Sequence, residues 1–270
     1  MSRRPQGSSP AGLSRRLPSR RHCPDDCRQS LLPTLPRKGT VGKRLDQDEP
    51  AADARSPGGL HKDRDCALAM FDLPSDTIAR LDRFVDLLLT WQSRTNLIAR
   101  SSVPSLWTRH VADSLQLLDL VDSPYGKPRI WLDLGSGGGF PGVVMACALT
   151  DVPGTQVHLV ESNLKKAAFL REAIRETKAP GIVHAVRIES LASTLDAITV
   201  DYVTARALAP LPDLLEMIAP FIKKGAKALL LKGQDLEHEL TESTKHWHIE
   251  AERVPSRTSN AGQILVVHAL

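Results

Sequence analysis

The stretch WLDLGSGGGFPG, residues 131–142, combines residue types and a spacing that could bind a nucleotide cofactor. An apolar run ends at Asp133–Leu134; Gly135, Gly137, Gly138 and Gly139 follow, and Pro141 opens the next element. Glycines permit positive φ and let a ligand come close to the backbone. A helix starting at Pro141 aims its free N–H groups at the same place. Gly137, Gly139 and Gly142 also fit G-x-G-x-x-G, a motif that is weak alone. A phosphate loop ending in G-K-S/T is excluded, because no Lys-Ser/Thr follows.

Two carboxylates bear on the cofactor class. Asp133 sits at the strand end just before the glycines. There it could hold the cationic amino group of a methionine moiety, whereas it would repel a pyrophosphate. This favours S-adenosylmethionine (AdoMet) over a dinucleotide. Glu161 ends the next apolar run and could accept hydrogen bonds from both ribose hydroxyls, which suits either cofactor.

These residues need elements to position them. Helical spacing at Ile78, Leu81, Phe84, Val85, Leu88 and Leu89 predicts a first helix, with Ser75 or Asp76 as N-cap. A second helix is predicted over about 103–121, and 122–128 is a loop. Strands are then predicted at 129–135, 156–161, 181–188, 200–208 and 226–233. Helices from Pro141 to Leu149, Leu164 to Lys178 and Leu211 to Ile222 lie between them. Strands alternating with helices imply a three-layer α/β fold with a mostly parallel sheet. Two last strands, about 246–254 and 263–269, suggest an antiparallel hairpin at one edge.

Composition and charge separate the ends of the 270-residue chain. Its formal net charge is +4, with 24% charged and 41% hydrophobic residues, as expected of a globular protein. No run of 18 apolar residues exists that could span a membrane as a helix. Residues 1–69 carry 14 Lys+Arg against 8 Asp+Glu, and residues 70–270 carry 21 against 23. The positive balance therefore belongs to the first quarter, which has 8 of the 19 Pro and no Phe, Trp or Tyr. Such a segment buries too little surface to offset its ordering entropy. Residues 1–69 are read as a disordered basic tail or a mis-assigned start. Cys23, Cys27 and Cys66 are read there as unpaired thiols, since His22, Cys23 and Cys27 fall one ligand short of a structural zinc site. No metal is expected.

LDLGSGGGFPGVV resembles the AdoMet motif of class I methyltransferases, and specifically of the RsmG (GidB) family. Further stretches are similar to that family in order: WQSRTNLIA (with Gln92 in place of the usual Asn), RHVADSL, ESNLKKAAFL, VRIES, ARAL and LLLKG. The resemblance covers roughly residues 72–270. It implies a class I AdoMet-dependent methyltransferase, Rossmann-like, with a seven-stranded sheet. Residues 70–125 would form a helical subdomain and 126–270 the methyltransferase domain. It implies methylation of guanine N7 in the 530 loop of bacterial 16S ribosomal RNA. A cytoplasmic location and a monomer are expected, although the sequence does not give the oligomeric state. The RNA would be met alone or within the 30S subunit. It further implies that Gly135 and Phe140 line the cofactor site, that Glu161 contacts the ribose, that Ile188 and Glu189 flank the adenine, and that Arg206 lies at the cofactor and target face.

Guanine N7 is a lone-pair nucleophile with no proton to remove, so no general base is needed. Catalysis should rest on positioning and charge stabilisation, with Arg206 as the catalytic candidate. No N/D-P-P-Y/F motif for an exocyclic amine and no Pro-Cys pair for cytosine C5 occurs. Arg109, His110, Lys165, Lys166 and Lys232 are the main candidates to bind substrate, and Arg94 and Arg100 are further cations. Trp91, Trp107 and Cys147 read as core. Other RNA or small-molecule methyl transfer, an NAD-binding dehydrogenase and a non-catalytic AdoMet binder stay open at this point.

Overall fold

The computed structural model describes residues 57–191 and 198–270. Its strands are β1 (Ile130–Leu134), β2 (Gln156–Val160), β3 (Gly181–His184), β4 (Tyr202–Arg206), β5 (Lys227–Lys232), β6 (Glu250–Pro255) and β7 (Gln263–Ala269). They form one sheet in the order β3-β2-β1-β4-β5-β7-β6. Strands β1 to β5 pair in parallel, while β7 runs antiparallel to both β5 and β6. This is the Rossmann-like sheet with a C-terminal antiparallel hairpin expected of a class I methyltransferase. The strand order reverses beside β1, where open α/β sheets bind ligands at the carboxyl ends of their strands.

The helices are α1 (Pro57–Leu68), α2 (Ser75–Gln92), α3 (Gly142–Ala148), α4 (Leu164–Thr177), α5 (Leu211–Ile222) and α6 (Leu236–Ser243). Between α2 and β1 lies a composite segment: 3-10 turns at Arg100–Ser105, a π-helical stretch at Trp107–Ala112, one α turn at Asp113–Leu115, and 3-10 turns at Gln116–Leu120. The single helix predicted over 103–121 is thus broken in pitch. Helix α2 starts one residue after Pro74 with no side-chain cap bond, so neither Ser75 nor Asp76 caps it. Helix α6 was not predicted, and β3 stops at His184, short of the expected 188.

Side chains alternate across a strand, so each face of the sheet collects one parity of residues. Trp131, Val157, Leu159, Tyr202, Leu229 and Leu231 join a core with α2, the composite segment, α3 and α4. Leu132, Leu134, Val203, Ala205, Ala228 and Leu230 join a second core with α5 and α6. The helices before β1 therefore share one continuous core with the first face of the sheet. Trp91 packs on Phe169 at 5.7 Å, and Trp107 and Cys147 are buried, as expected of core residues. Among the described residues no helix is long and apolar enough to cross a membrane.

The reading of residues 1–69 as a tail fails over its last dozen positions. Helix α1 is ordered and packs on the composite segment, with Ala67 buried, Arg64 paired to Asp82 at 2.6 Å, and Asp63 bonded to Trp107 and Thr108. Its apolar residues are few, so periodicity does not reveal it; Leu60, Ala67 and Leu68 pack on the core and the polar contacts add to them. Cys66, read as an unpaired thiol, is disulfide-bonded. Cys23, Cys27 and the rest of 1–56 lie outside the described residues.

Candidate cofactor and substrate site

The glycine loop joins β1 to α3 at the carboxyl edge of the sheet. Gly135, Gly137 and Gly139 have φ of 66°, 53° and 90°, a region where a Cβ is strained. A Cβ at Gly135 would meet Leu208 Cδ1 at 2.5 Å, whereas at Gly137 it would meet only the Gly135 carbonyl, at 3.6 Å. Gly137 thus presents bare backbone to open space. Gly139 does not: its Cβ would strike Val143 and Phe84, so packing on α2 requires that glycine.

Asp133 is not the amino-group ligand expected from its position. Its side chain is 1% exposed and points, with the odd-numbered residues of β1, beneath the loop toward α3. Oδ2 accepts from the Gly142 backbone N–H at 3.2 Å and Oδ1 from the Thr204 hydroxyl at 2.8 Å. Asp133 and Thr204 are register partners on β1 and β4. The carboxylate therefore ties the first turn of α3 to the neighbouring strand. Burial pushes its carboxyl up to about 6, against the lowering effect of its hydrogen bonds. The preference for AdoMet consequently cannot rest on Asp133.

Glu161 stands where expected, just past β2. Its Oε2 accepts from Gly137 N at 2.9 Å and its Oε1 from Asn163 N at 2.7 Å. A carboxylate has about four lone-pair sites, so two stay available for hydroxyls. Ile188 is half-buried and Glu189 exposed in a 3-10 turn beyond β3. The Phe140 ring is buried and packs on Phe84 at 5.3 Å and on His110 at 4.9 Å. That residue lines the core under the helical segment, and only its backbone belongs to the loop.

Arg206 ends β4 on the same face as Asp133 and Thr204. Its Nη2 donates to the Arg109 carbonyl at 2.9 Å and its Nε lies 3.5 Å from Asp113 Oδ2. Burial lowers the guanidinium pKa, with the Asp113 carboxylate opposing. Its Nη1 is buried without a partner among the described residues. The next residue, Ala207, has φ 48°, a strained turn directly at the site. Strain of this kind recurs where a backbone is held for function.

His110 and Arg109 part company. The His110 ring is buried, its Nε2 lies 2.9 Å from Ser102 Oγ, and its Nδ1 has no partner among the described residues. Burial first, then the Arg206 and Arg109 charges, push its pKa down to about 3, so the ring is neutral at working pH. The Arg109 side chain is exposed. Lys165 is exposed and Lys166 half-buried in the first turn of α4, whose N-cap Asn163 accepts from both backbone N–H groups. Lys232 departs from expectation. Its even parity on β5 sends it to the α5–α6 face, where Nζ pairs with Glu239 at 2.5 Å and donates to the Ala209 carbonyl. It is a structural cation and not free to bind substrate.

Sequence reasoning also missed the hub of the site. Asp113 Oδ1 accepts from Gln116 at 2.8 Å and from Thr258 at 2.7 Å, while Oδ2 faces Arg206. The β6–β7 connection thus folds back onto the helical segment, with Arg257 N donating to Gln116 at 2.8 Å. Asp113 lies in the RHVADSL stretch and could be suspected from it. Thr258 lies in a turn-rich loop that carries no signal of its own.

Comparison with known proteins agrees with this geometry. Residues 77–265 match the family described as rRNA small subunit methyltransferase G. Proteins named ribosomal RNA small subunit methyltransferase G are 57% identical over 208 residues in Bradyrhizobium sp. strain BTAi1, covering 77% of this chain and 91% of that one. In Nitrobacter hamburgensis the identity is 58% over 203 residues, covering 75% and 76%. Among solved structures, cofactor-bound Rv0187 from MTB shares the fold, with a TM-score of 0.53 at 15% identity over 80% of this chain and 100% of that one. With its glycine loop, its strand-end carboxylate and a match over most of its folded length, the chain belongs to the rRNA small subunit methyltransferase G family.

Proposed function

We propose that the protein transfers a methyl group from AdoMet to N7 of a guanine in the 530 loop of bacterial 16S ribosomal RNA. Family membership carries this reading, and the glycine loop at the carboxyl edge of β1 supports it. The residues present fit the cofactor. Gly135 and Gly137 offer a backbone cradle that a Cβ would fill or strain, and Glu161 keeps lone pairs for ribose hydroxyls. Ile188 offers an apolar side chain for the adenine. AdoMet, when bound, supplies an electrophilic methyl group on a sulfonium centre.

The chain's own residues then have positioning work. N7 attack releases no proton and demands no base, and His110, with its pKa pushed by burial to about 3, is too weak a base to supply one. The methylated ring becomes cationic, and a bare arginine beside it would oppose that change. Arg206 is not bare: Asp113 faces its Nε, and the Arg109 carbonyl takes one Nη2 proton. The remaining Nη1 donor is held rigidly for a ligand acceptor. Arg109, Lys165 and Lys166 supply cations for RNA on the exposed side.

The protein is read as a cytoplasmic monomer that acts on 16S RNA, alone or within the 30S subunit. Mapping of N7-methylguanine in ribosomal RNA from cells lacking the gene tests the reading. Loss of one modified guanine in the 530 loop is expected, and an unchanged map overturns it.

A further inference from the structure

We infer that the turn after α2 is a binding pocket for a backbone phosphate of the RNA, set against the glycine loop. This rests on the proposed RNA substrate and names where its backbone is held. The turn borders an open concavity of about 440 Å³ lined by the polar side chains of Gln92, Ser93, Arg94, Thr95, Asn96 and Arg100, with Ala99 between them. The lining holds two guanidinium groups, several small polar groups and no carboxylate. Both arginines are exposed. Arg80, Arg129, Arg253 and Arg257 each have a carboxylate within ion-pair reach, whereas the exposed Arg83, Arg109, Arg171 and Arg187 have none among the described residues, so it is the shared concavity and not the missing carboxylate that sets Arg94 and Arg100 apart. Two uncompensated guanidiniums converging on one concavity match the forked donor geometry that binds phosphate.

The turn is built to hold its shape. Gln92 Oε1 accepts from Leu97 N at 3.0 Å and Ile98 N at 3.1 Å, and its Nε2 donates to the Ile98 carbonyl at 2.7 Å. Arg94 N and Thr95 N both donate to the Trp91 carbonyl. Leu97 and Ile98 are buried, which leaves the polar side chains outward. A Cβ at Gly138 would lie 2.9 Å from the Leu97 carbonyl, so the turn rests directly on the glycine loop. A strand whose guanine reaches the cofactor would therefore run past this pocket. Arg94 and Arg100 lie far from Arg206 in sequence, and only the fold brings the turn and the loop together.

The test compares full-length protein with the double variant Arg94→Ala/Arg100→Ala. The probes are a protein-free 16S RNA transcript for binding and AdoMet for calorimetry. The RNA affinity should fall at least about tenfold near 0.1 M salt, and the slope of log affinity against log salt should shrink by about 1.4, the value for two phosphates on a single strand. AdoMet affinity should stay unchanged. Arg94→Lys/Arg100→Lys should restore most of the salt slope, since the point charges remain. Lys127→Ala/Lys223→Ala, on exposed lysines before β1 and β5 at the opposite edge of the sheet, should leave both readouts at the native value. An unchanged slope and affinity in the alanine variant would overturn the pocket, and so would loss of AdoMet binding, which would assign the turn to the cofactor. Binding is read apart from turnover. Failure of the native protein to methylate the transcript or 30S subunits would therefore count against the proposed reaction, while the binding data still decide the pocket.

Discussion

Replacing Asp133 by asparagine separates a buried tie from a cofactor ligand. The carboxylate is fully enclosed, and its two oxygens serve Gly142 N–H and the Thr204 hydroxyl. An asparagine can keep both contacts: its oxygen accepts from Gly142, and its amide donates to the Thr204 oxygen, since a hydroxyl can turn. What the substitution removes is the buried charge. The native carboxyl titrates at about 6 against 3.8 in the unfolded chain. The folded state therefore binds the extra proton between those values, and native stability is lost as pH rises from 3.8 through about 6. A displacement of about two pH units corresponds to about 3 kcal/mol. Asp133→Asn should match the native protein near pH 4 and gain on it by about that amount at pH 7. Urea unfolding at several pH values measures this, because the other carboxylates cancel in the difference. AdoMet affinity by calorimetry should stay within about threefold, under 1 kcal/mol. A flat stability difference from pH 4 to 7, or a tenfold loss of AdoMet affinity in a stably folded variant, would refute the reasoning. The second outcome would return Asp133 to the cofactor site.

Three further predictions address other links. Asp63→Ala leaves the Trp107 and Thr108 N–H groups without their acceptor and should cost about 2 kcal/mol by urea unfolding, with a smaller loss in Asp63→Asn. Gly142→Ala drives a methyl group to 2.2 Å from Leu159 and 2.5 Å from Asp133 Oδ2, so the melting temperature should fall by an amount equivalent to about 3 kcal/mol, an overpacked core. His110 should show no ring titration by NMR between pH 5 and 8. Its folded pKa, pushed to about 3, lies below the ordinary 6.5. Protonation of the unfolded ring then makes its contribution to stability fall as pH drops below 6.5 toward 3, and a native titration near 6.5 would contradict its burial.

Several outcomes were legible in the residues. The glycine cluster after an apolar run marks a ligand loop because few other residues tolerate φ of 53° to 90°. The alternation of strand and helix patterns located β1, β2, β4, β5 and β7 within a residue or two, because buried strands need unbroken apolar runs. Helix α5 was legible to its ends because Pro210 precedes it and its apolar stripe is wide. Helix α1 was hidden because its apolar contacts are few, Leu60, Ala67 and Leu68, and the rest of its docking is polar, through Asp63 and Arg64, which leaves a weak periodic signature. The composite segment read as one helix because its 3-10 and π turns depart from the α pitch in opposite directions, so their mean apolar spacing stays near that of an α-helix.

The roles of charged residues divide along the same line. Sequence position alone named Glu161 and Arg206 as strand-end groups at the ligand edge, and the fold keeps them there. It also named Asp133 and Lys232, and the family resemblance named Phe140, all of which the fold turns away. Parity on the strand sends Asp133 under the loop and Lys232 to the opposite face, and the Phe140 ring drops into the core beside His110. The chain's order of residues determined which groups reach the carboxyl edge of the sheet, because loop and strand lengths are local properties. Which of them face a ligand, and which are consumed by Thr204 or Asp113, depended on neighbours 71 residues away for Asp133 and 93 away for Arg206. A side chain's free valence is a property of its surroundings, and only tertiary packing supplies those.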